Sequence, residues 1–183
     1  MEILIPIETW NEIDFSLWIK SQNWNETEIA EECCEVIKDL KLFPKTLLKD
    51  QKMEGKTLKE FLISEILGNV LIWKCKNGLI DNISWYLDGP FKNIVNINFG
   101  IESPFFIACK EGNIEIVELL LNYERVDFNK VNEYGQTPFF IACQEGSEVV
   151  ELLLNDERVN INQVDHNNES PFYARSEEHT SEL

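Results

Sequence analysis

The side chains best suited to catalysis are few and widely separated. Only two histidines occur, His166 and His179, so a serine or cysteine nucleophile has little choice of general base. No Gly-x-Ser-x-Gly motif is present. The segment Glu54-Gly-Lys-Thr57 ends like a phosphate-binding P-loop but lacks the first glycine of that motif. The sequence therefore predicts a protein with no enzymatic activity and no cofactor.

The five cysteines indicate packing rather than metal or redox chemistry. Cys75, Cys109 and Cys143 recur at intervals of 34 residues. We expect them on stacked helices about 8 to 10 Å apart, beyond the roughly 7 Å Cα separation that a disulfide allows. Cys33 and Cys34 are neighbours on a predicted helix, and no Cys-x-x-Cys or Cys/His zinc spacing occurs. Reduced thiols and no bound metal are predicted, which favours an intracellular, cytoplasmic protein.

The composition is strongly acidic, with a net charge of −17 over 183 residues. Such a chain repels the phosphates of nucleic acids and of anionic membranes, and no stripe of Lys and Arg offsets the repulsion. No stretch approaches the roughly 18 to 20 continuous apolar residues of a membrane span. We therefore predict a protein partner, no nucleic acid and no membrane. The self-repelling surface favours a monomer.

A duplicated segment dominates the second half of the chain. Ser103-Pro-Phe-Phe-Ile-Ala-Cys-Lys-Glu-Gly-Asn113 returns as Thr137-Pro-Phe-Phe-Ile-Ala-Cys-Gln-Glu-Gly-Ser147, with Pro104 and Pro138 34 residues apart. A fixed period of this length indicates a solenoid in which each unit buries its apolar face against its neighbours. A weaker copy precedes these two at Ile72 to Gly78, and a fourth copy begins at Asp165.

Each unit is predicted to contain two helices. Ser103 or Thr137 caps the first helix, and the proline that follows needs no backbone donor. Gly112 and Gly146 end that helix, where a left-handed residue is favourable. The second helix has an apolar stripe at i, i+3 and i+4, formed in the two units by Val117, Leu120 and Leu121 and by Val150, Leu153 and Leu154.

This order of turn, helix, glycine break, helix and extended finger resembles the ankyrin repeat. The resemblance implies an all-α solenoid of helix-turn-helix units with β-hairpin-like fingers. We assign a capping repeat to 66–97, repeats to 98–131 and 132–164, and a partial repeat to 165–174. The first finger is shortened, because Val95 to Asn98 runs into Ser103 three residues early. Phe106, Phe140 and Tyr173 stand where the family usually has a histidine, so extra apolar packing must replace its hydrogen bond.

Residues 1–65 are predicted to form a helical N-terminal domain or cap. One amphipathic helix is marked by Ile29, Cys33, Val36, Ile37 and Leu40, and another runs from Leu58 to Leu67. Met53 to Leu58 is similar to part of a sterile-alpha-motif domain. Ile5 to Ile13 resembles the opening of an F-box. Neither match continues into the rest of its motif.

The last nine residues, 175–183, break the repeat and resemble the in-frame translation of a sequencing adapter. We expect this tail to be foreign to the natural protein, as a processing or cloning scar would be. On that hypothesis the natural sequence is read only into its fourth repeat.

In the ankyrin family a partner binds the finger tips and the exposed positions of the first helices. The resemblance therefore implies a protein-binding surface formed by Phe99, Glu102, Lys110, Glu111, Glu133, Tyr134, Gln136, Gln144, Glu145, His166, Asn167 and Glu169. Tyr134 is the strongest candidate, because an aromatic side chain at a finger tip is a typical interface anchor.

The predicted function is a non-enzymatic scaffold that binds a protein partner of unknown identity. Two alternatives remain open. The chain could be a ubiquitin-ligase substrate adaptor with an N-terminal docking domain, or the targeting fragment of a larger enzyme truncated after residue 174.

Overall fold

A computed structural model of the protein describes residues 19–20, 27–40, 58–90 and 92–178. Regular structure within these residues is helical, and no strand occurs among them. The helices are α1 (Thr27–Leu40), α2 (Leu58–Asn77), α3 (Ile83–Asp88), α4 (Pro104–Lys110), α5 (Ile114–Leu121), α6 (Pro138–Gln144), α7 (Val149–Leu154) and α8 (Pro171–Glu178). The F-box-like segment, the Glu54–Thr57 fragment and residues 179–183 lie outside the described residues. Predictions made there stay predictions, and so do both alternative functions.

The chain packs as two units. The first takes in Met1–Val70 and Asn82–Asn96, and the second takes in Leu71–Asp81 and Ile97–Leu183. In the first unit, α1 is confirmed as an amphipathic helix, and its buried side chains include those of Ile29, Cys33 and Val36. The second unit contains both copies of the duplicated segment.

Helix α2 is longer than the sequence pattern indicates. It begins at Leu58 as predicted but continues to Asn77, through residues that we assigned to the capping repeat. Gly78 follows with φ 67°, a left-handed conformation that commonly ends a helix. In the turn after it, the buried Lys74 side chain donates a hydrogen bond to the carbonyl oxygen of Asp81 at 2.7 Å. That bond satisfies both a buried ammonium and a turn carbonyl.

The first helices of the two clear repeats, α4 and α6, form as the sequence predicts. The hydroxyl oxygens of Ser103 and Thr137 accept hydrogen bonds from the backbone N–H groups of Phe106 and Phe140 at 3.2 and 3.1 Å. Each proline occupies the first helical turn, where its missing N–H costs nothing. The side chains of Phe106 and Phe140 are at most 1% exposed, so apolar packing does replace the usual histidine there.

The buried face of the second helices differs from the predicted stripe. In α5 the buried residues are Ile116, Val117 and Leu120, whereas Leu121 is only half-buried. In α7, Leu154 is 46% exposed and Val149 is buried instead. The prediction for Leu121 and Leu154 is therefore wrong. Each second helix packs on the first helix of its own repeat, and α5 and α7 also pack on each other. With neighbours on two sides, each second helix buries positions i, i+1 and i+4 instead of the predicted i, i+3 and i+4.

Asparagine side chains link successive repeats along the finger side. The amide of Asn98 donates to the carbonyl oxygen of Arg125 at 2.8 Å, and its oxygen accepts from the N–H of Asp127 at 2.8 Å. Asn129 makes the same pair of bonds one repeat later, to Arg158 and Asn160. These bonds hold each finger base against the next one.

The shortened first finger is held by Lys130, which lies 32 residues after Asn98. The Lys130 ammonium donates to the carbonyl oxygen of Asn98 at 2.6 Å and to that of Gly100. Gly100 itself has φ 79°, a conformation that glycine adopts without strain. The Lys130 ammonium thus satisfies two carbonyl oxygens of the shortened finger.

Candidate protein-binding groove

Two fingers of the second unit share one local geometry. In the first, the Asn132 side-chain oxygen accepts hydrogen bonds from the N–H groups of Tyr134 and Gln136, both at 3.0 Å. In the second, Asp165 accepts from Asn167 and Glu169, both at 2.9 Å. Such side-chain-to-backbone bonds are the mechanism of the Asx turn. The fingers are therefore fixed turns that present their tip residues in defined positions.

The two finger tips contact each other through the main chain. The N–H of His166 donates to the carbonyl oxygen of Tyr134 at 2.9 Å. At the next residue, Gly135, φ is 80°, and a Cβ added there would lie 2.5 Å from Cδ2 of His166. Only glycine allows this approach. Asn168 takes the equivalent left-handed place in the second finger, with φ 63°, a conformation that asparagine tolerates better than most residues.

Side chains also tie each finger to the helix beneath it. The carboxylate of Glu102 pairs with the ammonium of Lys110 at 3.3 Å. At the equivalent positions of the next repeat, the amide of Gln136 donates to the oxygen of Gln144 at 3.2 Å. Asn132 in turn donates to the oxygen of Gln136 at 3.0 Å. The three amides from Asn132 to Gln144 therefore form one oriented chain of hydrogen bonds.

A groove of about 310 Å³ lies between these fingers and the first helices. It is lined by Tyr134, Gln136, Phe140, Gln144, Asp165, Asn167, Glu169 and Ala174. Tyr134 lines the groove and is 61% exposed, whereas Phe140 is 1% exposed. The groove therefore combines an accessible aromatic ring with oriented amides and carboxylates.

The family model for ankyrin repeats, in three copies, matches residues 71–165, just over half of the chain. The chain belongs to the ankyrin-repeat family. Ankyrin repeats are protein–protein interaction domains, so residues 71–165 of this ankyrin-repeat protein form such a domain. A search of curated proteins gives no match.

The residues predicted to bind a partner lie in several different places on this ankyrin-repeat protein. Five of them line the groove: Tyr134, Gln136, Gln144, Asn167 and Glu169. Lys110, Glu111 and Glu145 line a separate depression of about 410 Å³ at the turns between first and second helices. Glu133 and His166 are exposed on the finger tips and line neither. Phe99 and Glu102 belong to the shortened first finger.

Sequence reasoning missed three residues of the ankyrin groove. Phe140 was identified only as a histidine replacement, Asp165 only as the start of a partial repeat, and Ala174 only as its end. A signal for Asp165 was available, because it stands 33 residues after Asn132, at the same finger position. Its 7% exposure, equal to that of Asn132, shows that both side chains are built into their turns.

Burial favours the protonated thiol at two cysteines of the ankyrin repeats, Cys75 and Cys109. Burial raises the pKa of the Cys75 thiol to about 12, and burial raises that of Cys109 well above its ordinary value. A protonated thiol is neither a nucleophile nor a metal ligand. Among the residues that the structure describes, no cluster of His, Cys, Asp and Glu could hold a metal ion. No described helix is long and apolar enough to span a membrane.

Proposed function

We propose that this ankyrin-repeat protein is a non-enzymatic scaffold that binds a protein partner in the groove beside Tyr134. The observation that carries the proposal is the way in which Tyr134 is held. Its side chain is 61% exposed, while its N–H is bound to Asn132 and its carbonyl oxygen to His166. An exposed aromatic side chain on a fixed main chain buries a large area on binding at little entropic cost.

The oriented amides beside Tyr134 support the same proposal. Because Asn132 donates to Gln136 and Gln136 donates to Gln144, the amide nitrogen of Gln144 ends the chain as a donor. A backbone carbonyl of a partner would find this donor already directed by its neighbours. Hydrogen bonds set in advance add specificity because few side-chain rotations are lost on binding.

The net charge and the cysteines support three further parts of the proposal: the kind of partner, the monomeric state and the cellular compartment. A net charge of −17 supports a protein partner over a nucleic acid or an anionic membrane, and it supports a monomer. The five cysteines are present as thiols and not as disulfides, and four of them are buried. Reduced thiols support a reducing, intracellular compartment such as the cytoplasm.

Site-specific photo-crosslinking tests the proposal. Tyr134 is replaced by p-benzoyl-phenylalanine, and a matched variant carries the same group at Glu118, an exposed residue of α5 that does not line the groove. Illumination in cells should give discrete crosslinked proteins from position 134 and not from position 118. Identical products from both positions, or products from position 118 alone, would contradict the proposal.

A further inference from the structure

The two fingers that border the groove have the same turn geometry, but the side chain that stabilises the turn is neutral in one finger and charged in the other. Asn132 and Asp165 each accept two backbone N–H bonds and are each 7% exposed. The neutral amide oxygen of Asn132 is sufficient for this role. The negative charge of Asp165 is therefore not required by the turn. Its second oxygen accepts one weak bond, from the side-chain amide of Asn167 at 3.4 Å, and no cation among the described residues compensates its charge.

Four residues further along each finger, a neutral side chain and a charged one again stand at equivalent positions. Gln136 accepts a hydrogen bond from the amide nitrogen of Asn132, which closes the first finger. Glu169 occupies that place in the second finger, where Asp165 has no donor to offer it. Two carboxylates thus stand where the preceding repeat has a mutually bonded pair of amides. Both of them line the groove.

Equivalent residues in the earlier repeats show what Glu169 lacks. Glu102 pairs with the ammonium of Lys110, and Gln136 pairs with the amide of Gln144. No hydrogen bond or ion pair engages the Glu169 carboxylate among the described side chains, which end at Ala174 in α8. No lysine or arginine lines the groove within that part of the chain. In the sequence, Glu177 and not a cation stands at the position that corresponds to Lys110.

We propose that this groove binds a lysine or arginine side chain of the partner protein, with Asp165 and Glu169 as its counter-charges and Tyr134 as its aromatic wall. The inference rests on the proposed function, since it assigns the chemistry of the partner at the same groove. A cation over a tyrosine face gains further attraction. The acidic chain also steers a basic segment towards the groove during association.

The lining of the groove argues against other occupants. Among the described residues that line the groove, an acidic segment would meet two carboxylates and no cation. A calcium ion takes about six to eight oxygen ligands, and Asp165 already uses one oxygen for two backbone N–H bonds. A single ammonium or guanidinium needs only the accessible carboxylate oxygens and an apolar wall.

The test uses two substitutions that the chain itself shows to be compatible with the turn. Asp165→Asn and Glu169→Gln reproduce the Asn132 and Gln136 of the preceding finger, so the double variant should fold with an unchanged circular-dichroism melting curve. Glu157→Gln is the matched control, because it also removes a negative charge, from an exposed residue that does not line the groove. The probes are peptides selected from a random phage-displayed library on the wild-type protein.

We expect the selected peptides to share a lysine or arginine, and to bind the double variant about tenfold more weakly or worse while Glu157→Gln changes affinity less than about twofold. Replacing that basic residue by norleucine should cause a similar loss on the wild-type protein and little loss on the double variant. Peptides that lose affinity with Tyr134→Ala but not with the double variant would overturn this inference and leave the proposed function intact. Peptides insensitive to Tyr134→Ala, or failure to select any peptide, would count against both.

Discussion

The carbonyl oxygen of Tyr134 accepts a hydrogen bond from the N–H of His166 at 2.9 Å, which joins two finger tips from successive repeats. The two main chains can approach only because glycine follows Tyr134. This single contact fixes the spacing between Tyr134 and the second finger, and therefore the width of the groove that they border. The stability of the contact and the binding role of Tyr134 can be tested separately.

Gly135→Ala should destabilise the protein more than Gly146→Ala. Both glycines have positive φ, 80° and 66°, so an alanine at either site carries a backbone cost of about 1 to 2 kcal/mol. Only at Gly135 would the new Cβ also clash with His166, whereas nothing lies within 4 Å at Gly146. Urea unfolding of the two variants measures the difference, which we expect to be about 1 kcal/mol or more. Equal losses would show that the fingers are not packed as described.

Leu153→Ala and Leu154→Ala test the corrected buried face of α7. Leu153 is fully buried, and its truncation should cost about 2 to 5 kcal/mol. Leu154 is 46% exposed, so its truncation should cost about 1 kcal/mol or less. Because the two residues are adjacent and chemically identical, each serves as the control for the other in thermal unfolding. A larger loss at Leu154 would restore the stripe inferred from the sequence.

The Asp156–Arg158 pair should make stability depend on pH in the acid range. A hydrogen bond from Arg158 lowers the pKa of Asp156 in the folded protein, so the unfolded chain binds its proton more tightly. The pair therefore contributes fully above the ordinary Asp pKa of about 4, and its contribution is lost as the pH falls through the lowered value.

Asp156→Asn should consequently lower the urea midpoint at neutral pH and have a shrinking effect below about pH 4. Glu157→Gln, one residue away and exposed, provides the control for a general change in net charge. A gap between the wild type and Asp156→Asn that stays constant down to acid pH would show that the pair does not contribute in this way.

The parts of the fold that the sequence predicts well are those set by local chemistry. Pro104 and Pro138, with a hydroxyl residue just before each, specify where α4 and α6 begin, and the caps are as expected. Gly112 and Gly146 end those helices with positive φ. These features depend on a few neighbouring residues, so they can be recognised without knowledge of the tertiary packing.

The parts that sequence reasoning missed depend on contacts between repeats. Leu154 fits an amphipathic pattern, but α7 packs on both α6 and α5, and this leaves Leu154 half exposed. Lys130 reaches back to Asn98 and Gly100 because the first finger is short, which no pattern within its own repeat reveals. The groove likewise joins Tyr134 to Asp165 from the next finger, and only the stacked repeats bring them together.

The most direct test of the central claim is the affinity of selected peptides for Tyr134→Ala, with the melting temperature of the variant measured in parallel. We expect affinity to fall about tenfold or more, because an exposed aromatic anchor is removed. We expect almost no change in melting temperature, because a 61% exposed side chain contributes little to folding. Unchanged affinity would contradict the claim. A large fall in melting temperature would instead assign Tyr134 to the packing of the fingers.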